Sequence, residues 1–200
     1  MTRGGAAFQP PLLFGARSDS NQPLGWTWLG LVIVSDSFKY LAPVGVPAMK
    51  IAIRPARVEE YDEIARVWMN SWVSTGLEDA SNFLLAKLRA RIPHEIEKGW
   101  SLFVADDGGA IVAMLALHLP KMYLDQLFVV PERQGQGLGR ALLAFTRQQL
   151  PDEICLRCVR ENDKAWRWYE RENFVFEKEQ VEPMTGFVMK YYLWKREATP

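Results

Sequence analysis

From Val129 to Arg140 the chain reads VVPERQGQGLGR, a stretch that lies between a predicted strand and a predicted helix. Gly135, Gly137 and Gly139 place three glycines within five residues of this turn. Glycine lets a backbone adopt positive φ angles and approach an anion closely, and the free N–H groups at a helix N-terminus favour phosphate. The stretch therefore predicts a pyrophosphate cradle, although a plain strand-to-helix turn would also use such glycines.

Two other phosphate-binding motifs fit this turn less well. The dinucleotide fingerprint G-x-G-x-x-G starts at Gly135 and Gly137, but Arg140 occupies the place of its third glycine. Arg157 stands near the position where that fingerprint needs an acidic ribose ligand. The stretch also lacks the G-K-[ST] ending of a P-loop. A nucleotide-binding module is thus the weaker alternative.

Outward from the turn, the hydrophobic pattern predicts the element order βαα-βββ-α-β-α-ββ over residues 50–194. Strands are expected at 51–54, 101–105, 110–118, 122–130, 153–159, 174–180 and 187–194, and helices at 57–72, 82–98, 138–150 and 163–172. The helix at 82–98 contains Pro93, so it is expected to break there. Mixed pairing in one sheet, with helices on both faces, predicts an α/β (α+β) fold.

A second motif, NDKAWRWYERENF, follows one strand later, from Asn162 to Phe174. Asn162 suits a helix N-cap, and Asn173 suits the left-handed position that ends a helix. The two motifs together resemble the signature of the GNAT acetyltransferase superfamily. Its motif [QR]-x-x-G-x-[GA] is matched by Gln134, Gly137 and Gly139. Its motif N-x-x-A-x-x-x-Y-E-x-x-G-F is matched by Asn162, Ala165, Tyr169, Glu170 and Phe174, with Asn173 in place of the glycine.

The resemblance covers residues 50–194, and it implies a mostly antiparallel sheet of about seven strands with a splayed fourth and fifth strand. In the family a bulge in the fourth strand causes the splay, and it maps onto residues 128–130. The implied activity is acyl-CoA-dependent N-acylation, with acetyl-CoA as donor and a primary amine attacking directly in a ternary complex. A non-catalytic acyl-CoA sensor on the same fold is the alternative, since a fold does not fix an activity.

The resemblance also assigns residues. Donor binding falls on Leu127, Phe128, Val129, Gln134, Gly135, Gln136, Gly137, Leu138, Gly139, Arg140, Asn162, Ala165 and Trp168. In the family, the tyrosine at the position of Tyr169 protonates the departing thiolate. Phenols, with pKa about 10, lie close enough to thiols, at about 8.5, for this transfer. The alternative for Tyr169 is ring packing with a hydrogen bond to the backbone.

A protonated amine must lose a proton before it attacks, so a base is needed. Asp125, on the fourth strand, is the first candidate, by resemblance only, and a solvated or salt-bridged carboxylate is the alternative. Glu78, Asp79 and His118 are further candidates. Acidic residues around the loop at 181–186 favour a cationic acceptor or are simply a solvated surface; they are Glu177, Glu179 and Glu182.

Composition restricts the partners. Lys+Arg and Asp+Glu both number 24, so the basic excess of a nucleic-acid binder is missing. The apolar run at 24–34 is too short to span a bilayer. Cys155 and Cys158 are too few for a disulfide scaffold, which favours the cytoplasm, and no second ligand pair accompanies them to bind a metal. A homodimer is compatible with the sequence.

The first 48 residues differ in composition from the rest, being rich in Gly, Pro and Ser. Two explanations stay open: a start-site artefact upstream of Met49, or a genuine extension that packs through Trp26, Trp28 and Leu29. The expected division is therefore an extension at 1–48 and an acetyltransferase domain at 49–196.

Overall fold

The computed structural model describes residues 51–77, 85–183 and 185–197. Its strands are β1 (Ile51–Pro55), β2 (Ser101–Asp107), β3 (Ala110–His118), β4 (Tyr123–Val129), β5 (Glu153–Val159), β6 (Val175–Val181) and β7 (Val188–Lys195). Its helices are α1 (Tyr61–Val73), α2 (Leu85–Glu97), α3 (Leu138–Gln149) and α4 (Asp163–Arg171). The proposed extension at 1–48 and the candidate bases Glu78 and Asp79 lie outside the described residues.

The strands form one seven-stranded sheet in the order β1-β2-β3-β4-β5-β7-β6. Every neighbouring pair is antiparallel except β4 and β5, which run parallel. Those two strands pair only at Tyr123 with Cys155 and at Leu124 with Leu156. They separate beyond that point, so the predicted fold class and the predicted splay are both confirmed.

The bulge in β4 lies elsewhere than the resemblance implied. Against β3, Leu124 pairs with Leu117 and Gln126 with Ala116, which leaves Asp125 as the extra residue. Residues 128–130 keep regular register with β3, so the placement of the bulge there was wrong. A bulge bends its strand and increases the local twist. This one follows directly on the last β4–β5 pair, where β4 turns away from β5.

Helices cover the two faces of the sheet. On one face, α1 and α2 bury Ile64, Trp68 and Ile92 against β2 and β3. On the other face, α3 and α4 pack against a cluster that includes Leu142 and Leu156. Each helix therefore has one apolar stripe that meets the sheet, as the 3.6-residue period predicted. Within the described residues, no helix is long and apolar enough to cross a membrane.

Helix α2 continues through Pro93, so the expected break there was wrong. A proline inside a helix removes one backbone hydrogen bond and crowds the preceding turn. Here Leu88 and Ile92, before the proline, and Glu95, after it, are all buried along the same helix. Tertiary packing of this stripe keeps the helix continuous across the proline, since packing supplies most of the stability of helices in proteins.

A buried carboxylate fastens the start of α1 to the edge of the sheet. The Arg54 guanidinium donates to both oxygens of Glu60, at 3.0 and 2.6 Å, and to Asp106 at 2.8 Å. Glu60 also accepts from the backbone N–H of Arg57 at 2.8 Å. The side-chain hydrogen bonds from Arg54 lower the pKa of Glu60 from 4.5 to about 2.

Replacing Glu60 by Gln is expected to lower the free energy of unfolding at pH 7 by about 2 kcal/mol, allowing for screening by solvent. Because the folded pKa of Glu60 lies below its ordinary value, the contribution is complete above pH 4.5 and is lost as the pH falls towards 2. The variant should therefore show a flatter stability profile across that window. Urea denaturation at a series of pH values measures both effects. The exposed neighbour Glu59, changed to Gln, is the matched control, and equal losses in both variants would contradict the prediction.

Strand β6 forms one edge of the sheet, and all seven of its residues are exposed. Its apolar members Val175, Phe176 and Val181 remain between 44% and 68% accessible. The sheet is therefore thinly covered on this side.

Candidate active site

The Gly-rich turn places an open helix N-terminus at the end of β4. Gly135 and Gly137 have φ angles of +75° and +87°, which only glycine adopts readily. Gly137 is the N-cap of α3, and no side chain caps this helix. The first N–H groups of a helix have no partner within it. A Cβ added at Gly135 or Gly137 would meet nothing within 4 Å, so the backbone here faces open space.

A cleft of about 540 Å³ opens over this turn and over the separated half of β4. Its lining comes from four parts of the chain: the end of α1, the last residues of β4, the Gly-rich turn, and the start and outer face of α4. The lining residues are Ser71, Ser74, Thr75, Leu127, Phe128, Val129, Gln134, Gly135, Gly137, Gly139, Arg140, Glu161, Asn162, Asp163, Lys164, Ala165, Trp168 and Arg171.

Most of the residues predicted to bind the donor lie in this lining, and two do not. Gln136 is exposed and donates from its side chain to the carbonyl of Glu132 at 2.8 Å. Leu138 is buried, 4% exposed, in the core under α3. Both positions can still supply backbone N–H groups, and these are the groups that the predicted cradle would use.

The open edge of β4 presents backbone donors to the cleft. The N–H of Val130 donates back to Val112 on β3 at 3.0 Å. Successive backbone amides of a strand point to opposite sides, so the N–H groups of Val129 and Leu127 face the gap left by β5. The carbonyl of Val129 already accepts from Ser71 Oγ at 3.0 Å and from Gln134 Nε2 at 3.1 Å. The end of β4 is thus fixed in position while its amides stay turned towards the cleft.

Cationic side chains surround the cleft, and the sequence analysis missed two of them. Lys164 Nζ donates to Gln134 Oε1 at 2.9 Å, and Arg140 Nε pairs with Glu172 at 2.8 Å. Arg171 also lines the cleft. Lys164, Trp168 and Arg171 are spaced four and three residues apart on α4, a helical period that could have shown that they share one face. The positive groups and the uncapped helix favour an anionic ligand.

Comparisons with known proteins agree with this geometry. The family model described as "Acetyltransferase (GNAT) domain" matches residues 98–176, from β2 to the start of β6. A probable N-acetyltransferase of Mycobacterium tuberculosis is 28% identical over 142 residues, covering 62% of this chain and 79% of the relative. The peptidyl-lysine N-acetyltransferase YjaB of Escherichia coli is 26% identical over 131 residues, covering 63% of this chain and 83% of the relative.

Solved structures share the fold. The solution structure of apo YjaB aligns with a TM-score of 0.56, covering 72% of this chain and 97% of that one, at 23% identity. The PaiA N-acetyltransferase of Thermoplasma acidophilum, solved in complex with coenzyme A, aligns with a TM-score of 0.56. It covers 74% of this chain and 100% of its own length, at 19% identity.

Residues 98–176 of this chain therefore form a GNAT acetyltransferase domain. The two motifs that carried the resemblance have clear structural roles in this acetyltransferase. The Asn162 side chain accepts from the backbone N–H of Ala165 at 3.2 Å and caps α4. Asn173 has a φ of +66° just after the helix, as its place at the C-terminal end predicted. The Glu170 carboxylate accepts from the Tyr192 hydroxyl at 2.9 Å and ties α4 to β7.

Tyr169 lies behind the cleft wall of the acetyltransferase. It is buried, 8% exposed, and its ring centroid lies 4.9 Å from that of Trp168 and 5.5 Å from that of Phe174. Burial raises the pKa of its phenol well above the ordinary value of 10, and the nearby Cys158 thiol raises it further. Trp168, one residue earlier, lines the cleft in front of it. Tyr169 is therefore protonated at neutral pH and packs in the same cluster as Leu124 and Leu156.

Asp125 sits at the fork where β4 and β5 part. Its Oδ2 accepts from the indole N–H of Trp100 at 2.6 Å, and its Oδ1 accepts from the Gln126 amide at 3.3 Å. Trp100 packs against Trp68, which places Asp125 on the α1 and α2 face of the sheet. His118, the other described candidate base, bonds through Nε2 to the carbonyl of Lys98 at 3.0 Å, so it is held by a neighbouring loop.

The acidic residues expected to attract a cationic acceptor are mostly paired within the acetyltransferase. Glu182 is buried and pairs with Arg157 at 2.7 Å. Glu179 lies 3.5 Å from Lys190, and Glu177 is exposed on β6. Two of the three carboxylates are therefore neutralised by cations of the chain, and they no longer argue for a cationic acceptor.

Both cysteines of the acetyltransferase are free thiols. Burial raises the pKa of Cys155, and it raises that of Cys158 to about 12. Neither thiol would ionise near neutral pH, which argues against an acyl-cysteine intermediate, since the thiolate is the nucleophile. Within residues 51–77, 85–183 and 185–197, no three His, Cys, Asp or Glu side chains come together as a metal site.

Proposed function

We propose that this acetyltransferase transfers the acetyl group of acetyl-CoA to a primary amine in a ternary complex. The observation that carries the proposal is the cleft over the part of β4 that has separated from β5, with an uncapped helix N-terminus at the Gly-rich turn. The diphosphate of the donor fits the amides of Gly135 to Gly139, because that backbone is open and Lys164 and Arg171 line the same cleft. The solved complex of the relative PaiA with coenzyme A supports this choice of donor.

The chemistry is assigned to backbone groups that face the gap and to two side chains beside it. The amine attacks the carbonyl carbon of the thioester, and a backbone N–H of Leu127 or Val129 stabilises the oxyanion that forms. The carbon–sulfur bond then breaks, and Tyr169 gives its phenolic proton to the leaving sulfur. Asp125 takes the proton that the amine loses, directly or through water. Tyr169 and Asp125 lie on opposite faces of the sheet, and the gap between β4 and β5 connects those two faces.

The relatives suggest acceptors without deciding between them. YjaB is named a peptidyl-lysine N-acetyltransferase, so a peptide amine is one class to test. Small amines, polyamines and aminoglycosides are the others. All share a primary amine that must be neutral when it attacks.

The test is a thiol-release assay with acetyl-CoA and pooled acceptors from these classes. Release of free coenzyme A that depends on an added amine supports the proposal. Tight binding of acetyl-CoA without release, across the whole panel, would instead indicate a non-catalytic sensor. Failure to bind acetyl-CoA at all would remove the assignment of the cleft.

Changing Asp125 to Asn is expected to lower kcat about 10-fold with little change in the KM for acetyl-CoA. The loss is modest because carboxylates in general are weak bases towards an amine. The Asn carbonyl can still accept from Trp100, so folding should be preserved. Steady-state kinetics measure the effect, and Gln126 changed to Ala controls for loss of the neighbouring bond. A kcat equal to that of the parent protein would exclude Asp125 as the base.

We also propose that residues 49–196 form the catalytic domain and that the enzyme works in the cytoplasm, where its two free thiols would stay reduced. Homodimerisation stays a prediction from the sequence.

A further inference from the structure

The fork between β4 and β5 brings together two opposite charges that the reaction above uses only in part. Asp125 follows the last β4 residue that pairs with β5, and Arg157 follows the last β5 residue that pairs with β4. Neighbouring strands lie about 4.8 Å apart, so the two side chains flank the point at which the gap opens. That point is also where the reactive end of a donor lying along β4 would arrive.

Both charges lie on the same face of the sheet. On β5, Ile154 and Leu156 belong to the core under α3 and α4. Side chains alternate along a strand, so Arg157 points to the opposite face, on which Asp125 meets Trp100. Arg157 and Asp125 are both half-buried, so part of each residue remains exposed to solvent.

Arg157 is held firmly at the fork. Its Nη1 donates to Glu182 Oε2 at 2.7 Å, and Glu182 is only 7% exposed. The backbone N–H of Glu182 in turn donates to the carbonyl of Phe187 at 2.8 Å, which fixes the loop after β6. The guanidinium also donates to the hydroxyl of Tyr191, its register partner on β7, and Tyr123 lies nearby. A guanidinium has five N–H donors in a rigid fork, so the bonds to Glu182 and Tyr191 leave donors for a third partner.

We propose that Arg157 binds a carboxylate on the acceptor and that the acceptor is an α-amino acid. The inference rests on the proposed N-acetylation and specifies its substrate class. An α-amino acid carries an amine and a carboxylate on a single carbon. With the carboxylate on Arg157, the amine faces Asp125 and the fork, where the thioester lies. A peptidyl lysine or a polyamine offers no carboxylate next to its amine and would leave Arg157 without a partner on the acceptor.

The test compares each α-amino acid with its own carboxamide, at saturating acetyl-CoA, by kcat/KM. The carboxylate should improve kcat/KM about 10- to 100-fold, as expected for a charge-assisted pair at a partly buried site. Arg157→Gln should bring the ratio close to one by lowering only the value for the acid. Arg157→Lys should retain part of the preference, because it keeps the charge but loses the fork geometry. Arg196→Gln, an exposed arginine that bonds to Pro151 beyond the far end of β7, is the control and should keep the full ratio.

Removing Arg157 alone leaves the Glu182 charge buried and can unfold the protein. The double variant Arg157→Gln with Glu182→Gln avoids this and should show the same loss of preference, with acetyl-CoA affinity unchanged. Equal rates for acids and amides in the parent protein, or an equal fall in kcat/KM for both in the variants, would overturn the inference while leaving N-acetylation standing.

If no acceptor turns over, calorimetry with the CoA-loaded protein provides the test. Amino acids must then bind at least about 10-fold more tightly than their amides, and lack of amino-acid binding also overturns the inference. If the protein does not bind acetyl-CoA, the proposed function itself fails, and this outcome is distinguishable from failure of the amino-acid inference.

Discussion

Tyr169→Phe is expected to lower kcat about 100-fold and to leave the KM for acetyl-CoA nearly unchanged. Phenylalanine preserves the ring that packs between Trp168 and Phe174, so only the hydroxyl is lost. Without it, the sulfur must leave as a thiolate with no neighbouring acid. Proton donation of this kind contributes 10²- to 10⁴-fold in enzymes, and the lower end suits a donor whose pKa is already raised by burial.

A structural role for Tyr169 would give a different result. In that case the variant would lose stability and donor binding, whereas kcat per folded molecule would stay the same. Thermal unfolding and acetyl-CoA titration, measured beside the kinetics, separate the two outcomes. Tyr192→Phe is the matched control, since this buried phenol bonds to Glu170 away from the cleft lining. Unchanged turnover in Tyr169→Phe would exclude the hydroxyl as the acid.

Gly137→Val should weaken acetyl-CoA binding about 100-fold or more. At a φ of +87° a β-branched residue is strained, so the turn must move. Its backbone N–H groups would then no longer point towards the diphosphate. Losing two charge-assisted hydrogen bonds to a diphosphate accounts for a factor of this size. The added side chain would also point into open space at the mouth of the cleft. Isothermal titration with acetyl-CoA and with CoA gives the affinity directly.

Gly108→Val provides the control for backbone strain. Gly108 lies in the tight turn between β2 and β3, with a φ of +65° and no atom within 4 Å of an added Cβ. It should lose similar stability but bind acetyl-CoA normally. Equal loss of binding in both variants would mean that destabilisation, and not the turn itself, explains the Gly137 result.

Local chemistry made parts of this protein predictable. The Asn162 cap, the left-handed Asn173 and the glycines of the turn each follow from a preference of one residue for one backbone state. Periodicity gave the buried faces of α1 and α3 for the same reason, because a helix repeats every 3.6 residues. These signals act over a few positions and are therefore visible without tertiary structure.

Other features depend on contacts between distant segments. Ser71 reaches Val129 across 58 positions, and no local pattern marks a serine at the end of a helix as part of a cleft. The bulge at Asp125 depends on the register with β3, which a single strand does not encode. Pro93 was expected to break its helix in two, but packing of Leu88 and Ile92 against α1 keeps the helix continuous. The sequence around Arg157 is that of an ordinary strand, because its pairing with Glu182 and its position at the fork with Asp125 depend on the fold.

The accessible edge strand β6 bears on how the protein behaves at high concentration. A free edge can add a second copy of itself through backbone hydrogen bonds and seed aggregates. In an antiparallel self-pairing centred on Lys178, each Lys178 would oppose the other, with Glu177 and Glu179 on either side, and the register shift at Glu177 already interrupts the edge. Like charges in direct opposition disfavour that pairing. These three charged side chains thus protect the edge between Val175 and Val181 from self-association. Replacing them with neutral residues would leave an uncharged, largely apolar edge strand that favours aggregation.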